Sequence, residues 1–441
     1  MANAAVAHMN VGARAMPTSV RSGAALLLVF VFIVSLVLPI ETSVYVGQMR
    51  LSPYRIVLFL ALIPCLYRLA QGSGGRLRLA DGLVFFHALW AFLALLVAHG
   101  TGQFEFAGIY AVEALVPYLL ARAFIRTQAD FVAFAKFIAL VVLVLAPWGL
   151  YESVTHDILR NPPNQPLPRW GLARAYGPFE HPILYGVFCA SVFGIVFYAL
   201  KGQVSNFSRY LRIGGIVAGT FFSMSAGPLT ALVAQMGLVT WNRGLSRLKH
   251  RWLLLTAGFI GAWTVVSLLS TRTPIHVFIS NFTFNAETAY MRLAIWDYGS
   301  AEALRHPWFG IGMGEWQRPA WMPPSVDNFW LLEAMRYGMP ALVCLAVAVA
   351  ALMIQAGRTP HADMHIRNCR TGWMVTMFGL ILAGTTVHYW NATFCLFMFL
   401  LGAGAWLNQP TAAVAAPRPV LPRYHKAMRS RAKPLAPSAN G

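Results

Sequence analysis

At 441 residues the chain is 58% hydrophobic, only 11% charged, and carries a formal charge of +19. That apolarity excludes an ordinary soluble protein. Five scattered cysteines with no CxxC pair read as reduced structural thiols, which argues against a disulfide framework or a zinc site.

Apolar runs close to the ~20 residues needed to cross a bilayer recur along the chain and predict an all-α polytopic membrane protein. Arg14 and Arg21 precede the first run, 23–40. It is long for a signal-peptide core and has no small-x-small cleavage pattern, so it reads as an uncleaved span behind a cytoplasmic segment, 1–22. Further spans are expected near 54–71, 82–99, 106–121, 131–152 and 182–200. The longer run 211–242 is broken at Ser223-Met-Ser-Ala-Gly-Pro228, where glycine and proline interrupt a helix. It must cross twice if the basic flanks 201–212 and 243–251 are to share one side. Spans near 251–270, 328–356, 371–388 and 391–407 complete about twelve transmembrane helices in a domain 23–407. Both termini then fall in the cytoplasm, with two large periplasmic loops, 153–181 and 271–327.

On this topology roughly 24 of the 34 Lys and Arg, but only about three of the 15 Asp and Glu, lie on the cytoplasmic side. The basic charge is therefore a topology signal, and no nucleic-acid partner is expected. The tail 408–441 is Pro/Ala-rich and basic, and is expected to be disordered in the cytoplasm within reach of anionic membrane lipids.

The longest polar interval runs from Tyr290 to Pro340. It holds Arg292, Asp297, Glu302, Arg305, His306, Glu315, Arg318, Asp327, Glu333 and Arg336 among tryptophans and prolines. A plain connector needs none of this, so chemistry is sought here. Trp308, Trp316 and Trp321 suit either an interfacial aromatic belt or the stacking of sugar rings. Gly310-Ile-Gly-Met-Gly314 lacks the strand–turn–helix context of a nucleotide fingerprint, and is read as backbone approaching a ligand or the bilayer closely. Asp327 suits a helix cap or a catalytic carboxylate, and Glu333 and Arg336 are spaced to share a helix face.

In the earlier loop, Arg174-Ala-Tyr-Gly-Pro-Phe-Glu-His-Pro182 brings an arginine, Glu180 and His181 to the start of a span. The alternative is a capped helix entry. Glu113 stands well inside an apolar run and is either functional or a protonated structural hydrogen-bonder. His87 and His388 read as satisfied core residues. No HExxH, P-loop, GxSxG or acidic metal cluster is present, so neither a metal nor a cofactor is expected.

Four motifs in order resemble the O-antigen ligase / Wzy-type polysaccharide polymerase superfamily of bacterial inner-membrane glycosyltransferases. They are R-x-x-G-x-F-x-H-P at Arg174–Pro182, R-L-x-I-W at Arg292–Trp296, H-P-W-F-G-I-G-M-G at His306–Gly314 and D-N-F-W-L-L-E-A-M-R-Y-G at Asp327–Gly338. The resemblance implies metal-independent transfer of a glycan from an undecaprenyl-diphosphate carrier at the periplasmic face of the inner membrane. The acceptor would be another lipid-linked chain or lipid A core, with other polysaccharide assembly proteins as possible partners. The chain departs from the family at Ser225-Ala226-Gly227, where an arginine is commonly central, and at Asp327, where ligases carry histidine. Both departures favour a polymerase over a ligase.

A diphosphate leaving group calls for Arg174 and Arg292, with Arg336 in reserve. The acceptor hydroxyl calls for a base, with Asp327 ahead of Glu180 and His181. A lipid-linked glycan flippase would need ionisable groups at midplane depth and, in many transporter folds, an internal repeat, and no repeat is found. A scaffold of an assembly complex would act through the basic tail.

Overall fold

The computed structural model describes residues 18–409 apart from 48, 73, 74, 163, 164 and 282–285. The start of the expected cytoplasmic segment and nearly all of the basic tail therefore lie outside the described residues. Asn408, assigned to the tail from sequence, is buried in a last helical turn, Ala405–Asn408.

The chain is mostly helical, and the helices follow the apolar runs. They are α1 (Thr18–Leu36), α2 (Pro53–Ala70), α3 (Leu79–His99), α4 (Phe104–Phe124), α5 (Gln128–Thr155), α6 (Pro182–Ala190), α7 (Phe193–Ala199) and α8 (Asn206–Phe222). There follow α9 (Ala226–Gly244), α10 (Arg251–Leu269), α11 (Pro274–Asn281), α12 (Ala286–Arg305), α13 (Phe329–Arg358), α14 (Met364–Gly384) and α15 (Ala392–Ala403). Among the described residues the named strands are β1 (Val44–Val46) and β2 (Met49–Leu51), a short antiparallel pair with Tyr45 opposite Arg50.

Seven helical segments among the described residues are long and apolar enough to cross a membrane: α2, α3, α4, α5, α6 with α7, α10 and α13. The expected break in the run 211–242 falls at Ser223–Ser225, between α8 and α9. The interval 271–327 is not an irregular loop. Its first half forms α11 and α12, because Ala286–Arg305 is dense in Ala, Glu, Leu and Met, all strong helix formers.

Two uniformly apolar helices have opposite fates. α15 is buried along its whole length, in contact with α4, and its Phe399 meets Phe32 and Phe134. α10 has no buried residue, so its apolar side chains need cover from outside the chain, which a lipid bilayer supplies. Between α6 and α7 the helix breaks in the core, and side chains satisfy the freed backbone. Gln235 accepts from Gly194 N at 3.2 Å and donates to Ala190 O at 2.9 Å, and Thr376 accepts from Ile195 N at 3.2 Å. A Cβ at Gly194 would lie 2.7 Å from Gly372 O, so glycine lets α7 and α14 touch backbone to backbone.

α13 kinks at Gly338, whose φ of 82° is left-handed, just before Pro340. A proline ring there leaves carbonyls of the preceding turn without helical donors, and the glycine run supplies them. Ile311 N donates to Met335 O at 2.8 Å and Gly312 N to Arg336 O at 2.9 Å, while Met339 N donates to Pro307 O at 2.7 Å. The close approach read from Gly310–Gly314 is thus made to α13. A Cβ on Gly338 would collide with the Trp308 carbonyl. Gly338→Ala is expected to cost on the order of 3 kcal/mol from strain and displacement together. A lowered thermal unfolding midpoint in detergent checks this, and an unchanged midpoint contradicts it.

Candidate functional site

Glu152, at the end of α5, organises the loop that follows it. Its carboxylate is fully buried and accepts from the backbone N–H of Tyr176 and Gly177, both at 2.8 Å, and from Trp148 Nε1 at 3.0 Å. Ala173 N donates to Ser153 O and Ala175 N to Phe222 O, at 3.0 and 2.9 Å. The chain from Ala173 to Gly177 is therefore pinned across the ends of α5 and α8. Glu152→Gln keeps the shape but exchanges an acceptor-only carboxylate for an amide with two donors. A loss of about 1–3 kcal/mol is expected. Faster proteolysis confined to 153–181 checks it, and wild-type resistance contradicts it.

That pinned loop carries Arg174 against the α8–α9 break. Arg174 Nη2 donates to Ser225 Oγ at 2.8 Å, and Ser225 Oγ donates to Ser223 O at 2.8 Å. Arg169 donates to the carbonyl of Met224, which holds a left-handed φ of 45°. From the other side α12 brings Arg292, whose Nη2 reaches Thr386 O at 3.5 Å. Arg174 and Arg292 are both buried, at 8% exposure.

Asp327 sits beside them. The cap of α13 is Asn328, whose side chain accepts from Leu331 N at 3.0 Å, so Asp327 is released from the capping role. Burial pushes the Asp327 carboxyl above its ordinary range, against the pull of Arg292 and then Arg174. Burial likewise lowers both guanidiniums, Arg174 to about 10 with Arg169 adding to the fall. All three groups are thus held in a poorly solvated place where an arriving anion would be welcome.

Asp327 lines a cavity of about 560 Å³. Around it stand His181, the strap Ile311–Trp316, Arg336, His388 and Trp390. Three of the four sequence motifs thus converge on one space. His181 caps α6, its Nδ1 accepting from Ile183 N at 3.2 Å. The proton then belongs on Nε2, and the ring can donate a hydrogen bond but not take up a proton there. Burial and then Arg174 lower it to about 4, which keeps it neutral.

Glu180 is turned away from this cavity. Its carboxylate accepts from Trp390 Nε1 at 3.0 Å and Asn391 Nδ2 at 2.9 Å, with Arg50 at 3.8 Å. It positions Trp390, whose ring lies 6.1 Å from that of His181 and 5.2 Å from that of His388. Trp316 is buried in the cavity wall, with Nε1 on Pro324 O at 3.0 Å. Trp308 and Trp321 stand outside it, both exposed. The Trp308 carbonyl accepts from Trp90, and Trp321 stacks on Tyr290 at 5.7 Å. Glu333 shows no ion pair with Arg336 among the described residues. It accepts from Tyr110 at 3.0 Å, with His87 at 3.9 Å, and Arg336 lines the cavity.

Glu113 is neither a lone carboxylate nor in the cavity wall, since it pairs with Arg55 at 2.7 Å and takes the Tyr54 hydroxyl at 2.8 Å. His388, read as core from sequence, lies in the cavity wall because α14 ends at Gly384. Glu152, Arg169, Ser225, His388 and Trp390 are the site residues that sequence reasoning missed. Among the described residues no group of three His, Cys, Asp or Glu could hold a metal ion.

A second space of about 500 Å³, lined almost wholly by apolar groups, lies among α10, α11 and α12–α14. Phe259, Trp263, Val266 and Trp296 form its walls, and it reaches Asn328 and Thr385. The polar cavity is lined by Asp327 and the apolar groove by Asn328, adjacent residues at the start of α13, and the groove's Thr385 precedes Thr386, whose carbonyl Arg292 reaches. The class these features define is a helical protein with apolar spans and a desolvated arginine–aspartate cluster at a polar/apolar divide. No protein-family model matches the chain, and no curated protein matches it in sequence.

Proposed function

We propose that this protein is a glycosyltransferase of the bacterial inner membrane that polymerises undecaprenyl-diphosphate-linked glycan at the periplasmic face. In this reading about twelve helices span the bilayer, both termini are cytoplasmic, and Arg174, Arg292 and Asp327 face the periplasm. The observation that carries it is the divide at Asp327–Asn328, with a polar cavity on one side and an apolar groove on the other. A lipid-diphosphate-sugar has the same order of parts: apolar chain, dianionic linker, polar ring.

The prenyl chain occupies the groove between α10 and α13. Its diphosphate lies against Arg174 and Arg292, and the donor sugar projects toward Asp327. The acceptor glycan fills the cavity, where Trp316 and Trp390 offer ring faces and Arg336 and His181 Nε2 offer donors. An acceptor hydroxyl oxygen forms a bond to the anomeric carbon as the carbon–oxygen bond to the diphosphate breaks. The hydroxyl proton passes to Asp327, and the negative charge released on the diphosphate is met by the two guanidiniums.

Asp327 must be ionised to accept that proton. Its raised pKa means transfer should rise with pH through a value above the ~3.9 of an ordinary aspartate. His181, neutral down to about 4, adds no limb near ~6.5. A pH–rate profile that shows no rise above ~3.9, or whose inflection persists unchanged in Asp327→Asn, would count against these roles.

The function is tested with purified protein given the strain's undecaprenyl-diphosphate oligosaccharide, alone or with lipid A core. A ladder from the donor alone supports a polymerase. Product only with lipid A core would make the protein a ligase.

A further inference from the structure

A cluster of arginine and aromatic side chains lies one helix length away from the candidate site. α8 and α9 run out from the break that holds Arg174, and their far ends lie roughly 25 Å distant. There α8 brings Arg209 and Tyr210, α9 brings Arg243, α10 begins with Arg251, and α7 supplies Phe197 and Tyr198.

Arg209 is only 3% exposed, and its Nε and Nη1 are buried with no hydrogen-bond partner among the described residues. Its guanidinium lies 5.9 Å from the centre of the Phe197 ring, and that of Arg243 lies 4.4 Å from the same ring. The Arg209 guanidinium also lies 4.8 Å from the centre of the Tyr210 ring. Arg251 joins the cluster through Asn242, which bonds Tyr198 at 2.8 Å. Among the described residues no carboxylate pairs with this charge. The sequence has none between Glu180 and Glu287, and no ion pair joins Arg209, Arg243 or Arg251 to a carboxylate among the described residues.

Two guanidiniums on one ring, one of them buried with two unmade hydrogen bonds, are costly without a counter-charge. Aromatic faces offset only part of that cost. We infer that Arg209, Arg243 and Tyr210 form a binding site for a phosphate group. A phosphate gripped by the exposed Arg243 would set its negative charge beside the buried Arg209 guanidinium and offset it. Phe207, Leu211 and Leu253 beside the site expose apolar side chains that would lie along acyl chains if the phosphate belongs to a lipid. The inference is independent of the proposed glycan transfer.

The test uses the full chain purified in a zwitterionic detergent. It is titrated with dioctanoyl phosphatidylglycerol, with dioctanoyl phosphatidylcholine, and with inorganic phosphate, reading thermal unfolding. Wild type, Arg243→Gln and Arg247→Gln are compared. Arg243 and Arg247 are both exposed, so neither change threatens folding. The expected result is a saturable rise in the wild-type midpoint that needs about tenfold more ligand in Arg243→Gln, and that Arg247→Gln leaves in place.

A response to phosphatidylglycerol alone makes the ligand an anionic lipid headgroup. A response to inorganic phosphate as well makes it a free phosphate group. The inference is overturned if neither anion stabilises wild type, if the zwitterionic lipid acts equally, or if the two variants behave alike.

Discussion

Asp327→Asn is expected to lower the rate of glycan transfer by about a hundred- to ten-thousandfold, the range general-base catalysis contributes. Asparagine is nearly isosteric, so the cavity keeps its shape, and the cap of α13 is untouched because Asn328 makes it. What is lost is a proton acceptor that feels the charge of two arginines. Folding should not suffer, because removing a carboxylate whose ionised form is disfavoured by burial relieves a cost. The sign follows from linkage. A carboxyl raised above its unfolded value loses stability as pH climbs through that value, and the neutral amide has no such loss. The measurement is single-turnover transfer with donor in excess over Kd, beside a thermal unfolding curve. Wild-type rates in a well-folded Asp327→Asn protein would remove Asp327 from the chemistry.

Replacing Arg174 or Arg292 by alanine should cost a hundredfold or more, on the order of 3 kcal/mol of transition-state stabilisation each. Both guanidiniums lie against Asp327 electrostatically, and both are lowered by burial, so each is short of solvation before substrate arrives. A diphosphate restores what burial removed, and it does so most as the leaving group gains charge. Arg292→Lys should recover little, because a single ammonium cannot grip two oxygens as the planar fork does. In cells the expected phenotype is loss of long polymer at normal protein level. Polymer of ordinary length in an Arg292→Ala strain with normal expression would defeat the assignment. Arg336→Ala should act differently, raising KM more than it lowers kcat, because Arg336 lines the cavity and neither arginine of the pair does.

Hydropathy located most of the apolar helices closely but not α11 and α12, which form in the interval expected to be a loop. The expected break at Ser223–Pro228 is where α8 ends and α9 begins, and the expected span 54–71 is α2 within a residue or two. What hydropathy cannot show is direction. Glu180 and His181 are adjacent, yet one faces Trp390 and Asn391 and the other faces the cavity, because His181 caps α6 and the chain turns there. Glu152 escaped notice since it closes an apolar run, and its role depends on backbone N–H groups that come back from Tyr176 and Gly177. Trp308 and Trp321 share the composition of Trp316 but not its burial. Arg292 and Asp327 are separated by 35 positions in sequence, and only the return of α12 against α13 makes them neighbours. Sequence reads the glycine run as backbone approaching a ligand or the bilayer, because it does not say which backbone the run meets.

The most direct measurement is transfer by the purified protein in nanodiscs, with labelled undecaprenyl-diphosphate oligosaccharide as the sole substrate. The account predicts a ladder of longer lipid-linked glycans, with one undecaprenyl diphosphate released per unit added, and no ladder from Asp327→Asn. Absence of product from wild type, with the same labelled lipid crossing the bilayer when the protein is placed in sealed vesicles, would contradict it and make the protein a transporter.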